Sequence, residues 1–151
     1  MLYIKLTIMK IKPIILCGGS GSRLGFKKSK NTPKQFINFG NWTLLDKTLE
    51  RIKSSIFDPP VISTNLKYLK EIKQHLKIHK IKKFKIVLEP AKKNTAPAIL
   101  CTALIKDIKN EQPLMIFSAD HLIEKVSIFN REISKCKKFL TNQNIFIFGI
   151  K

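Results

Sequence analysis

Residues 15–36 read ILCGGSGSRLGFKKSKNTPKQF, an apolar run that breaks into glycines, then a basic segment, then Pro-Lys-Gln-Phe. Glycines adopt left-handed backbone angles and leave N–H groups uncovered, so Gly18 to Arg23 can wrap phosphate oxygens. A tight strand-to-helix turn would use the same Gly18, Gly19 and Gly21. Arg23 and Lys34 could add fixed positive charge against a polyphosphate and its leaving group. Taken singly in so basic a chain, each reads as a surface charge. A Walker A loop requires GxxxxGK[ST], whereas Leu24 stands five residues after Gly19. The dinucleotide fingerprint GxGxxG begins with Gly19 and Gly21 but meets Leu24 at its last glycine.

Two further polar clusters follow apolar runs. SADH, residues 118–121, ends Leu114 to Phe117, and Asp120 is placed there to hold Mg²⁺ against substrate phosphates, or else to cap a turn. EPAKKNTAP follows Leu88; Glu89 is a turn carboxylate or a ligand-loop residue, and Asn94 and Thr95 supply amide and hydroxyl groups suited to a nucleobase or ribose. His75 and His79, spaced i, i+4 without an intervening glutamate, read as a polar helix face. Cys17 lies in an apolar run with no histidine base and reads as a small buried hydrophobe. The chemistry that remains is in-line attack by a substrate phosphate on a nucleoside triphosphate, which needs positioning and electrostatics more than a protein nucleophile.

Strands and helices must bring these clusters together. Short apolar runs at Lys12–Cys17, around Val61 and Ile62, at Phe84–Leu88, Pro113–Phe117 and Ile145–Phe148 read as strands. They alternate with helical periodicity from Leu44 to Ile52, Leu66 to Leu76, Thr95 to Ile108 and Ser127 to Phe139, with Asn65 and Thr95 as caps. Such alternation predicts an α/β fold with a mainly parallel sheet covered on both faces, whose ligands sit beyond the strand C-termini. The glycine loop, Glu89 and Asp120 all fall at that edge. Residues 1–11 read as an N-terminal extension or edge strand, and 12–151 as the domain.

The chain has 151 residues, enough for one core, and 29 basic against 10 acidic side chains, a net charge of +19. Only Arg23, Arg51 and Arg131 are arginines, and the lysines spread over several helices. This reads as solvated lysine faces before a polyanion surface, and specific nucleic-acid binding is not expected: no zinc-finger, recognition-helix or RNA-binding sheet pattern is present. Cys17, Cys101 and Cys136 have no metal spacing, and the lysine-interrupted N-terminus has neither a signal core nor a membrane span. A cytoplasmic location is the expectation.

GGSGSRL, PKQF, TLLDKTLERI, LEPAKKNTAPAI and SADH, in this order, resemble the bacterial mannose-1-phosphate guanylyltransferases over residues 12–149. The resemblance implies a Rossmann-like nucleotidyltransferase of glycosyltransferase-A type that makes GDP-mannose and pyrophosphate from GTP and mannose 1-phosphate with Mg²⁺. It implies that Gly18, Gly19, Gly21 and Ser22 surround the nucleotide and that Arg23 and Lys34 face its phosphates. Glu89, Pro90, Asn94, Thr95 and Ala96 then help form the guanine and ribose pocket, and Asp120 binds Mg²⁺. The chain departs from the family with Gly25-Phe26 for Trp-Pro, Lys28-Ser29 for Ser-Arg, Lys93 for arginine and Ser118 for proline. Family members also continue past residue 149 with the sugar-phosphate pocket and a second metal-binding aspartate. The expectation is therefore the N-terminal part of the domain, with the guanylyl transfer of a full-length relative as the leading reading and two alternatives: a noncatalytic fragment or subunit completed by another, complementary C-terminal chain, or a basic nucleic-acid-binding module.

Overall fold

The structure, a computed structural model, describes residues 9–19, 32–90, 94–106, 108–109, 111–141 and 144–149. Four strands, β1 (Lys12–Leu16), β2 (Val61–Thr64), β3 (Lys85–Leu88) and β4 (Leu114–Ser118), pair in parallel in the order β3-β2-β1-β4. Parallel neighbours require long crossovers. Helices α1 (Leu44–Arg51), α2 (Leu69–Ile78) and α3 (Thr95–Ala103) lie in those connections, and α4 (Val126–Cys136) follows β4. This is the helix-flanked parallel sheet that the sequence pattern predicts.

Register decides which side chains share a face. Ile15 stands opposite Ile62 and Phe117, so the three project to one side. There they meet Leu45 and Leu49 of α1, Ile72 and Leu76 of α2, and Ile133 of α4 in the main core. Ile14, opposite Val61 and Ile116, projects to the other side, where α3 packs on β1 and β2 and buries Ala98 and Thr102. Ile11, the last residue of the stretch read from sequence as an N-terminal extension or edge strand, is buried and exchanges backbone hydrogen bonds with Ile56 and Asp58. Residues 1–8 lie outside the described residues. No helix among the described residues is long and apolar enough to cross a membrane.

Local chemistry sets the helix starts. Thr43 and Asp46 form a reciprocal capping box on α1: the Asp46 N–H donates to Thr43 Oγ1 at 3.2 Å and the Thr43 N–H to Asp46 Oδ2 at 2.7 Å. Asn65 accepts from the Lys67 N–H and caps a 3₁₀ turn, Leu66–Tyr68, that leads into α2. At α3 the cap position falls on Asn94, at φ 68°, and Thr95 is the first helical residue instead of the cap.

Two expectations fail for tertiary reasons. Residues 145–148 are not a strand, because a strand exists only by pairing and no described strand lies beside them. They keep a period-two pattern: Phe148 approaches Phe129 at 6.4 Å between ring centroids, while Ile145 and Ile147 are 91% and 93% exposed. Among the described residues the outer strand of the sheet on this side is therefore β4, which pairs with β1. His75 and His79 are not a solvated face either. His75 Nδ1 and His79 Nε2 each lie 2.7 Å from Asp46 Oδ1, clamping α2 to the start of α1. An ionised carboxylate only accepts, so both rings present N–H groups to it.

Candidate functional site

Because every strand runs the same way, all four C-termini reach one edge of the sheet. Ladder hydrogen bonds continue one residue past β1, β3 and β4. Cys17 N–H donates to Ser63 O at 2.8 Å, Glu89 N–H to Thr64 O at 2.8 Å, and Ala119 N–H to Leu16 O at 3.2 Å. The loops that open at Gly18, Pro90 and Asp120 thus leave from fixed points.

Gly18 and Glu89 meet at this edge. Leu16, Ser63, Val87 and Ser118 share the face covered in part by α3, and two residues on from Leu16 and Val87 the alternation brings Gly18 against Glu89. A Cβ on Gly18 would lie 2.9 Å from Glu89 Oε1, so only glycine admits the carboxylate at this closeness. Ser63 Oγ donates to Glu89 Oε1 at 2.5 Å and fixes the side chain there. Gly19 carries no such constraint: a Cβ there meets nothing within 4 Å.

The glycine turn is tied from below by Gln35, a residue that sequence reasoning did not single out. Gln35 is 4% exposed, and its Nε2 donates to Cys17 O at 3.2 Å and Gly19 O at 3.3 Å. Thr64 Oγ1 donates to the same Cys17 carbonyl at 3.2 Å. Lys34, half-buried, opens the 3₁₀ turn Lys34–Phe36 whose second residue is Gln35. Phe36 anchors that turn, its ring 5.4 Å from Tyr68 and 6.0 Å from His75 between centroids. The only sequence signal for Gln35 was its place in PKQF, beside the lysine.

On β4, Ser118 Oγ donates to Asp120 Oδ1. His121 Nε2 stands 3.9 Å from Asp120 Oδ1, with its side chain 63% exposed. Asn94, Thr95 and Ala96 open α3 and are exposed; Asn94 adopts φ 68° and ψ −173°, a region that costs a non-glycine residue energy. No side chain caps the first turn of α3, leaving its N–H groups without side-chain acceptors from the cap position. Gly21, Ser22, Arg23 and the Gly25 to Ser29 bridge lie outside the described residues, as does Lys93.

Cys17 is excluded as a nucleophile by its surroundings. Burial, reinforced by the negative charge of Glu71, Asp120 and Glu89, pushes its thiol up to about 12.

Among the described residues no three histidine, cysteine, aspartate or glutamate side chains converge as a metal cage. A single partly exposed carboxylate at Asp120 is nevertheless what Mg²⁺ takes from a protein when substrate phosphates and water complete its shell. A carboxylate oxygen is a donor that suits this hard cation.

The chain is similar to known proteins. A profile described as nucleotidyl transferase matches residues 12–149. A mannose-1-phosphate guanylyltransferase of Escherichia coli is 37% identical over 144 residues, 92% of this chain and 31% of that protein. The alginate biosynthesis protein AlgA of Pseudomonas fluorescens is 33% identical over 91% of this chain and 29% of its own length. The chain thus spans about a third of the curated relatives it matches. Among solved structures, one titled mannose-6-phosphate isomerase from Helicobacter pylori superposes with a TM-score of 0.64 at 28% identity, over 85% of this chain and 45% of that one. A putative glucose-1-phosphate thymidylyltransferase from Bacillus anthracis gives 0.61 at 19% identity, over 83% of this chain and 50% of that one, a likeness of fold. The chain belongs to the nucleotidyl transferase family.

Proposed function

We propose that the chain binds GTP at the C-terminal edge of its sheet and serves guanylyl transfer to mannose 1-phosphate, yielding GDP-mannose and pyrophosphate. The observation that carries this reading is the 37% identity to a protein of that name across 92% of the chain. In the reaction a phosphate oxygen of mannose 1-phosphate bonds to the α-phosphorus of GTP as the bond to pyrophosphate breaks. The Gly18-Gly19 turn, with Gly21 and Ser22, cradles the triphosphate through backbone N–H groups. Lys34 and Arg23 stabilise charge on the transferred and departing phosphates. Glu89, Pro90, Asn94, Thr95 and Ala96 bound the guanine and ribose side, and the fixed carboxylate of Glu89 is an acceptor suited to guanine N–H donors. Asp120 would hold Mg²⁺, which when bound neutralises phosphate charge.

The test is equilibrium binding of GTP against ATP and UTP, with and without Mg²⁺. Selective, Mg²⁺-dependent binding of GTP that Arg23→Met and Lys34→Met weaken without unfolding supports the reading. Equal uptake of unrelated polyanions, abolished by moderate salt whatever the Mg²⁺ level, overturns it in favour of bulk charge.

A second observation bears on completeness. β4 leaves Leu114 and Ile116 each 37% exposed on the face that α3 covers elsewhere, and Leu100 and Leu104 of that region are 58% and 73% exposed. Uncovered apolar surface beside a strand edge that no described strand pairs favours a reading in which further polypeptide completes the sheet and supplies the sugar-phosphate pocket. Product formation by the chain alone, followed from GTP and mannose 1-phosphate, would sink this second reading.

A further inference from the structure

The amide of Gln35 occupies an unusual place. It is buried, it sits between two carbonyls that bracket Gly18, and it belongs to the same short turn as Lys34. A primary amide has two N–H donors, and both the Cys17 and Gly19 carbonyls lie within reach of the one nitrogen. Cys17 O already accepts from Thr64 Oγ1, so the two donors together fill both of its lone pairs. Gly19 O accepts from Gln35 Nε2 in a partly buried contact.

The turn bearing Gln35 is itself immobilised. Phe36 packs against Tyr68 at the start of α2 and against His75, and His75 is held by Asp46, the residue that also caps α1. The chain of contacts runs from the Asp46 carboxylate through two rings and one backbone turn to the glycine carbonyls. Each link is a packed or hydrogen-bonded contact between elements that the core already fixes.

We propose that Gln35 is a positioning residue: it locks the Gly18-Gly19 turn to the Lys34 turn, so that backbone N–H donors and the Lys34 ammonium approach one polyphosphate in a fixed relation. The proposal rests on the nucleotide-binding reading above. Glycine makes that turn conformationally free, and free donors bind phosphate only after being ordered. Gln35 supplies the order in advance. It acts through the backbone of Cys17 and Gly19 and need not touch the nucleotide.

The discriminating variant is Gln35→Met, which keeps length and approximate volume in a buried position and removes both donors. Lys34→Met serves as comparison. Two measurements on the full chain are made, ¹⁵N order parameters of Gly18 and Gly19 without nucleotide, and affinity for Mg²⁺-GTP. The wild-type glycines should lie near the rigid value of roughly 0.85 and fall below about 0.6 in Gln35→Met, with GTP affinity weakened on the order of tenfold. Lys34→Met should weaken GTP and leave the order parameters unchanged. Unchanged glycine order in folded Gln35→Met overturns the lock, whether or not the chain binds GTP. Loosened glycines with unaltered GTP affinity overturn the positioning role. If the wild type binds no GTP, the nucleotide reading falls, and the positioning proposal falls with it, even if the glycines loosen. Should Gln35→Met fail to fold, Gln35→Glu, which presents acceptors to two carbonyls, is read by the same two measurements.

Discussion

Ser63 and Glu89, 26 residues apart in sequence, share a 2.5 Å hydrogen bond at the end of two adjacent parallel strands, and the carboxylate it fixes lies against the Cα of Gly18. Three strands are thereby tied together at the edge where the glycine turn begins. The contact gives the two glycines different tolerances. Gly18→Ala puts a methyl 2.9 Å from Glu89 Oε1, so the carboxylate must shift and its bond to Ser63 is weakened, whereas a Gly19→Ala methyl meets nothing within 4 Å. The expected result is a loss of about 1 kcal/mol of stability for Gly18→Ala, the worth of a hydrogen bond, and a smaller change for Gly19→Ala. Denaturant melts of both variants check it; equal losses would show the Glu89 contact to be inconsequential.

Asp46 makes stability depend on acid. Burial opposes its charge, but hydrogen bonds from His75, Thr43 and His79 outweigh that and hold its carboxyl down at about 2, below the ordinary 3.8. A carboxyl whose folded value is depressed contributes stability that is fully present above the unfolded value and is lost as pH falls through the folded one. The stabilisation should be complete at pH 5 and fade between about pH 4 and pH 2, with a size of about 1–2 kcal/mol once solvent screening is allowed for. Asp46→Asn should be less stable than wild type at pH 6, and the gap should shrink on acidification. A gap that stays constant from pH 6 to pH 2 would rule out the carboxylate as its source.

Cys17 and Cys101 should differ in reactivity. The Cys17 thiol is 1% exposed and raised to about 12 by burial and surrounding acids, while Cys101 is exposed on α3. At pH 8 iodoacetamide should modify Cys101 in the native chain and leave Cys17 untouched until denaturant is added. Peptide mass mapping reads the outcome. Rapid native labelling of Cys17 would mean that the turn after β1 opens readily.

Several of these features could be read from the sequence, and their limits have a common cause. β1, β2, β3 and β4 were legible because each is a short, nearly continuous apolar run, and the Gly18, Glu89 and Asp120 loops were legible because each directly follows one. Residues 145–148 carry the same local pattern as those strands, yet pairing depends on a neighbour that local pattern does not report. His75 and His79 looked like a wet helix face because their partner, Asp46, comes from another helix. Gln35 and Ser63 were missed for the same reason: a neutral polar side chain shows its role only when the carbonyl or carboxylate it meets is known. Thr95 yielded the cap to Asn94 through a single backbone angle at φ 68°.

Asp120 offers the sharpest separation of charge from position. Its Oδ1 accepts from Ser118 Oγ two residues back, so one oxygen is oriented by the protein and the other remains for a cation beside phosphate. Asp120→Asn keeps the shape and the contact with Ser118 but removes the charge; Ser118→Ala keeps the charge and removes the orientation. If Asp120 is the Mg²⁺ ligand, Asp120→Asn should abolish the dependence of GTP binding on Mg²⁺ and leave residual affinity from the glycine turn and Lys34. Ser118→Ala should retain the dependence with its midpoint shifted to higher Mg²⁺, by up to roughly tenfold, as outer-shell partners of a metal site do. Mg²⁺ titrations at fixed GTP read both variants. An Asp120→Asn chain whose GTP binding still rises with Mg²⁺ along the wild-type curve would move the cation away from this edge of β4.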